Sequence, residues 1–153
     1  IQASDLVGRK LLRDGGEMVR EVIADIREDL LSIRNTRDEA SDVAGDVEEA
    51  LSDLEDATAW LLESAGRDQR FPFAASFDYL MLFGTVVGGW QMARAAGAAA
   101  QRLVGERGDA RFNREKVATA RCYVRQVLPR VRGFSTQIQR GAEAVVEAGD
   151  VVF

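Results

Sequence analysis

The sequence predicts an all-α fold, an up-down antiparallel four-helix bundle with a short leading helix. Three observations carry that prediction. Apolar residues recur at spacings of three and four along most of the chain, which places them on one stripe of a helix. No segment alternates apolar and polar residues as a half-buried strand does. Glycine-rich breaks separate the periodic segments, and short connections make neighbouring helices antiparallel.

The elements follow in order. Segment one, about Gln2–Arg13, has Leu6, Val7, Leu11 and Leu12 on its apolar side, and the DGG of Asp14–Gly16 stops it. Segment two, about Glu17–Ile33, carries Val19, Val22, Ile23, Ile26, Leu30 and Ile33, with Glu17 and Glu21 in the first turn where the helix dipole favours acids. The break RNTRDEA offers Thr36 or Asp38 as the next N-cap. Segment three, about Glu39–Ser64, sets Val43, Val47, Ala50, Leu51, Leu54, Thr58, Leu61 and Leu62 against an acidic face of Asp42, Asp46, Glu49, Asp53 and Asp56. Like charges at these spacings cost a few tenths of a kcal/mol each, so the apolar stripe must be well buried. The stretch AGRDQRFPFA, Ala65–Ala74, reads as irregular, with Gly66 ending one helix and Pro72 resetting the chain before the next. Segment four, about Ala74–Arg107, is rich in small residues: Gly84, Gly88, Gly89, Ala93 and Gly97 predict another backbone passing very close. Segment five, about Phe112–Gly141, carries Val117, Ala120, Val124, Val127, Val131, Phe134 and Ile138, and Pro129 should kink it or end it at Leu128. A last turn at Ala142–Ala148 leads to the tail GDVVF.

Composition narrows the chemistry. The 153 residues fit one domain, and a chain this long buries roughly 70% of its unfolded surface. Histidine is absent, which removes Glu-x-x-His di-iron sites, His-containing triads and zinc sites with His ligands. The single Cys122 allows no internal disulfide, consistent with a reducing compartment, and no secretory signal is visible, so a cytoplasmic location is expected. The most apolar run, Tyr79–Ala93, is shorter than the roughly 20 residues of a membrane span and reads as a core helix, so no transmembrane segment is expected. Net charge is −5 but uneven: residues 1–70 hold 9 basic and 18 acidic side chains, residues 71–153 hold 11 and 7. Either an acidic pair of helices lies against a basic pair, or the second half offers a basic face to an anionic ligand or partner.

Two constellations bear on function. In Phe77–Ala96, the residues Phe77, Leu80, Met81, Gly84, Val87, Gly88 and Gln91 share a stripe. Core packing is the plainer account, with Tyr79 and Trp90 each bonding through its polar atom, and a flavin or acyl pocket is the alternative. In Arg111–Arg132, the residues Arg114, Arg121, Arg125 and Arg132 share a helical face. They pair with the acidic face of segment three or bind a phosphate-bearing ligand. Nucleic acid is disfavoured, because the chain is acidic and no aromatics interleave with the arginines. Carboxylate pairs such as Glu48/Glu49 and Asp53/Asp56 read as solvated, and no metal site, activated nucleophile or phosphate-binding loop is present.

Two long stretches bear a family resemblance. DYLMLFGTVVGGWQMARAA, followed by FNREKVATARCYVRQVLP, resembles the C-terminal helical extension of the acyl-CoA dehydrogenase family, in its 3-methylmercaptopropionyl-CoA dehydrogenase-like and long-chain-like bacterial branch. The matching positions are Tyr79, Leu80, Leu82, Phe83 and Gly84; Gly89 and Trp90; Lys116, Ala118, Thr119, Ala120 and Arg121; Leu128 and Pro129; EDATAWLL, Glu55–Leu62, fits the preceding helix. The resemblance implies that residues 1–14 end a catalytic-domain helix and that 15–153 form the bundle extension. It implies that the opening IQASDLVGRKLL follows the segment holding the catalytic Glu, so that base and the flavin contacts are expected upstream of Ile1. For the parent it implies FAD, an acyl-CoA substrate oxidised to the trans-2-enoyl-CoA, an electron-transfer flavoprotein as acceptor, and a homodimer. The present residues are then expected to be structural, packing on the catalytic domain of the same chain. Tyr79, Phe83, Gly84, Gly88, Trp90 and Arg121 are the expected helix-packing and interface positions. A stand-alone helical scaffold module without enzymatic activity is the alternative.

Overall fold

A computed structural model describes residues 1–36 and 38–150, the last by its backbone alone. Arg37 in the RNTRDEA break and the tail end Val151–Phe153 lie outside the described residues. Among the described residues there are helices and turns and no strand. The order is α1 (Gln2–Asp5), which continues as a π-helical stretch (Leu6–Leu12), then α2 (Glu17–Asn35), α3 (Ser41–Arg67), α4 (Arg70–Ala74), α5 (Ser76–Val104), α6 (Ala110–Gln126) and α7 (Arg130–Asp150).

The leading helix widens because i→i+5 bonding puts more than four residues in a turn. Val7 and Leu11, four apart, then fall on one side, and both are fully buried. The DGG turn works through backbone geometry. Gly15 and Gly16 take φ of +66° and +84°, a region glycine enters at no steric cost. The Gly16 N–H donates to the Leu11 carbonyl at 2.8 Å and closes the helix behind it. The Asp14 carboxylate accepts from the N–H groups of Gly16 (2.9 Å) and Met18 (3.2 Å), which starts α2. The Met18 N–H, with smaller help from Gly16, holds the Asp14 carboxyl below its usual range.

The helices assemble around α5, which touches α2, α3, α6 and α7, while α3 also touches α2, α6 and α7. Directions follow from the pairs. Arg27 meets Glu55 and Arg34 meets Glu48, so α2 and α3 run oppositely. Tyr79 meets Thr58, and a Cβ on Gly89 would lie against Val47, so α5 opposes α3. Glu39 faces Arg121, Glu49 faces Arg132 and Arg67 meets Glu143, so α6 and α7 run along α3 in its own direction. One continuous core results, from Val7 and Leu11 through Ile26, Leu30, Leu51, Leu54 and Leu82 to Ile138.

In its helices and their facing, the structure departs from the sequence expectations at four places. The stretch Ala65–Ala74 is not irregular: α3 runs past Gly66 to Arg67, and FPF lies in the short helix α4. Pro72 is its third residue, where a missing N–H costs nothing, since the first turn's N–H groups have no partner within the helix. The break expected at Pro129 is present, but no separate last turn follows it at Ala142–Ala148. The chain breaks at Val127–Pro129, where the N–H groups of Val127 and Leu128 both reach the Tyr123 carbonyl, at 2.8 and 3.1 Å. Past the break α7 is unbroken, because Val131, Phe134, Ile138 and Ala142 carry the apolar stripe beyond Gly141. Neither Thr36 nor Asp38 is the N-cap of α3: the Thr36 hydroxyl donates back to the Ile33 carbonyl at 2.7 Å, and Asp38 accepts from Ala40 N–H at 2.8 Å, ahead of the helix.

The fourth difference is the face of α5. The buried stripe is Tyr79, Leu82, Val86, Gly89, Ala93, Ala96, Gly97 and Ala100. The stripe of Phe77, Met81, Gly84 and Gln91 is exposed, with Leu80, Val87 and Gly88 half-buried. Nearly every residue of this helix is apolar, so apolar periodicity does not single out a face. Tyr79, Leu82 and Val86 go inward in its first half, and Gly89, Ala93, Ala96, Gly97 and Ala100 in its second, where their small size lets the neighbours close on α5.

Candidate functional site

Three contacts on α5 hold the residues singled out from the sequence. Tyr79 is fully buried, with its hydroxyl 2.8 Å from the Thr58 hydroxyl. Thr58 donates its own proton to the Leu54 carbonyl (2.7 Å), so Tyr79 is the donor to Thr58. Burial pushes the Tyr79 hydroxyl up to about 12, against a smaller lowering by Thr58. The Phe83 ring stands edge-on to Tyr79, centroids 6.0 Å apart. Trp90, half-buried, donates its indole N–H to Asp29 of α2 at 2.9 Å, and Arg94 lies over its ring at 5.4 Å while reaching the same carboxylate at 3.5 Å.

The third contact is at the glycines. A Cβ on Gly88 would sit 2.2 Å from the Tyr123 hydroxyl oxygen, which instead donates to the Thr85 carbonyl at 3.0 Å. A Cβ on Gly89 would meet Leu128 at 3.1 Å and Val47 at 3.2 Å. The close neighbours here are side chains and not a backbone. Around Gly84 there is nothing within 4 Å, so the expected close approach does not occur there within the chain. Thr58, Asp29 and Tyr123 are the partners the sequence did not reveal. They lie tens of residues away in the chain, and no local spacing signals them.

The arginine face of α6–α7 lies along the acidic face of α3. Arg121 is 3.7 Å from Glu39 and Arg132 3.8 Å from Glu49, both largely exposed pairs. Such pairs are worth about 0–1 kcal/mol each, so they set register more than stability. Arg114 lies exposed farther along α6. Between the faces runs a charged trench of about 530 Å³, with Asp46, Asp53, Arg125 and Arg132 on its walls. Asp53 is half-buried there and not simply solvated. Burial raises its carboxyl above the usual range, Arg132 opposes, and Asp56 and Glu49 add to the rise. Asp46 is raised as well, by burial first and then Glu49, with Arg125 opposing.

A second groove, about 590 Å³ and mostly apolar, lies between α2 and α3, with Ile23, Leu31 and Leu62 on its walls and Arg20, Arg27 and Glu55 at its rim. Among its polar groups, Arg27 pairs with Glu55 at 2.6 Å, Arg20 donates to the Gly15 carbonyl at 3.0 Å, and Thr58 is bonded as above. The hydroxyls of Thr85, Thr119 and Thr136 donate to carbonyls one turn back in their own helices. These polar groups therefore work for the fold. Among the described residues no cluster of three or more His, Cys, Asp or Glu could hold a metal ion, and no helix is long and apolar enough to cross a membrane.

Comparison with known proteins accords with this arrangement. Residues 17–148 match the family described as acetyl-CoA dehydrogenase C-terminal like. The 3-methylmercaptopropionyl-CoA dehydrogenase of Ruegeria pomeroyi is 38% identical over 128 residues, covering 84% of this chain and 22% of that relative. The chain thus spans about a fifth of the length of the curated relative it matches.

Proposed function

Because the chain belongs to the acetyl-CoA dehydrogenase C-terminal-like family, we propose that it is the C-terminal helical domain of an FAD-dependent acyl-CoA dehydrogenase, with a structural and oligomerising role. Residues 15–153 form an up-down four-helix bundle of α2, α3, α5 and the α6–α7 pair, and residues 1–14 end a helix of the catalytic domain. The parent is a cytoplasmic homodimer that oxidises an acyl-CoA to the 2-enoyl-CoA and passes electrons to an electron-transfer flavoprotein. The observation that carries the reading is the family match over residues 17–148, on a chain in which Tyr79, Trp90 and Tyr123 spend their polar atoms on joining helices.

FAD supplies hydride acceptance in such an enzyme. The residues here do not fit it: the apolar groove has its donors engaged by Glu55, Gly15 and Leu54, and the trench carries the carboxylates Asp46, Glu49 and Asp53, which repel a pyrophosphate. No step of the flavin reaction is assigned to them. Their part is to present a rigid body of packed helices to the rest of the polypeptide.

The test compares the 153-residue chain with the full-length protein containing it. The full-length protein is expected to be yellow and to reduce an electron acceptor when given an acyl-CoA, with 3-methylmercaptopropionyl-CoA the first substrate to try. Stoichiometric flavin on the 153-residue chain, or a full-length protein with neither flavin nor acyl-CoA oxidation, refutes the reading.

A further inference from the structure

We propose that the ridge Phe73–Phe77–Met81 is the surface on which the part of the polypeptide preceding residue 1 docks. This rests on the reading above, that the chain is the C-terminal domain of a longer dehydrogenase.

The ridge is unusual for its continuity. Phe73 is 45% exposed, Phe77 63% and Met81 40%. Single exposed apolar residues are ordinary, whereas large ones gathered on one face mark interaction surfaces. Phe77 and Met81 stand one turn apart at the start of α5, and Phe73 lies in the short helix α4 just ahead of them, across the turn at Ala75 (φ −85°, ψ −3°). Gly84 continues the line with open space where a side chain would be, and at Gly88 the Tyr123 hydroxyl fills the gap. A partner meets three apolar knobs and then a flat floor, with no ionised side chain along positions 73, 77, 81, 84 and 88.

The occupant follows from where the chain enters. The leading helix borders this ridge: α1 rests on α5, and the π-helical stretch rests on α4 and α5. A Cβ on Gly8 would lie 3.3 Å from two ring carbons of Phe73. The matched stretch accounts for 22% of the relative, and the family is a C-terminal one, so most of such a protein precedes residue 1. That mass is tethered beside the ridge, and tethering raises its effective concentration to roughly millimolar. A second copy has no such advantage. The groove between α2 and α3 is the rival surface, but Arg20, Arg27, Glu28 and Glu55 line it, and each is costly to desolvate.

The test places the photo-crosslinker p-benzoylphenylalanine at position 77 of the full-length protein, with position 31 in the α2–α3 groove as control. The expected result is an intramolecular cross-link from position 77 to a peptide preceding residue 1. A yellow, active protein that cross-links there only between copies, or not at all, or only from position 31, overturns the docking surface and leaves the dehydrogenase reading standing. A full-length protein without flavin or acyl-CoA oxidation overturns that reading instead. As a second measurement, the double variant Phe77→Asp, Met81→Asp in the full-length protein should raise protease cleavage at residues 12–17 at least about tenfold, since burial of one large apolar side chain is worth roughly that factor. Unchanged cleavage counts against the proposal.

Discussion

Gly84 and Gly88 lie one turn apart on α5, and replacing each by alanine should move stability in opposite directions. Gly to Ala in a helix interior gains about 1 kcal/mol of helix propensity, in part by restricting the unfolded chain. At Gly84 nothing stands within 4 Å of the new methyl, so the gain is kept: Gly84→Ala should stabilise by about 0.5–1 kcal/mol. At Gly88 the methyl would sit 2.2 Å from the Tyr123 hydroxyl oxygen and 2.9 Å from the ring carbon bearing it. The ring must swing away and give up its bond to the Thr85 carbonyl. That bond is worth about 1 kcal/mol and repacking about 1–3 kcal/mol, so after the propensity gain Gly88→Ala should lose about 1–3 kcal/mol. The assay is urea unfolding followed by helical circular dichroism. Trimming the ring in the double variant Gly88→Ala, Tyr123→Ala should recover part of the loss relative to the sum of the single changes. If both glycines respond alike, or the cycle shows no coupling, the assigned contact between Tyr123 and Gly88 is wrong.

Three further outcomes are expected. Tyr79 keeps its proton in the fold to about pH 12 against 10.0 for the free group, so its contribution is fully present below pH 10 and disappears as pH rises through 12. Alkaline titration of stability should show a loss of about 3 kcal/mol in that window, by linkage, and Tyr79→Phe should abolish it. Asp53 has its carboxyl raised by burial, so its neutral form is the one folding favours: that contribution is present below about pH 3.8 and is lost above it. Asp53→Asn should therefore raise the melting temperature at pH 7, with the gain vanishing at pH 3. Asp29→Ala removes the acceptor of the Trp90 indole and the partner of Arg94; it should cost about 1 kcal/mol and shift tryptophan emission to the red.

How much the sequence disclosed differed by segment, for physical reasons. α2 and α3 mix charge and apolar bulk, so Ile23, Ile26, Leu30, Leu51 and Leu54 sit in the core where their spacing predicts. The DGG stop was legible because two adjacent glycines meet a backbone need for positive φ. α5 was legible as a helix but not in orientation. With apolar residues on every side, its inward face is set by the size of what Val47, Ile33 and Leu128 press against. The α6–α7 break was half legible: Pro129 marks it, but the continuation past Gly141 depends on Ala142 finding a place in the core. The arginine face was readable as a face; that Glu39 and Glu49 lie opposite needed the third dimension. Gly84 and Gly88 look alike in sequence, and only a tyrosine 35 residues on from one of them separates their roles.

Because α5 touches both the pair before it and the pair after it, the order of synthesis matters. When α2 and α3 have left the ribosome, the inner faces of Val43, Val47, Leu51 and Leu54 have only each other and α2 to lean on until residue 104 follows. At roughly 5–20 residues per second, that wait lasts seconds. Glu39 and Glu49 wait longer still, since Arg121 and Arg132, which face them in the finished molecule, leave the ribosome after α5.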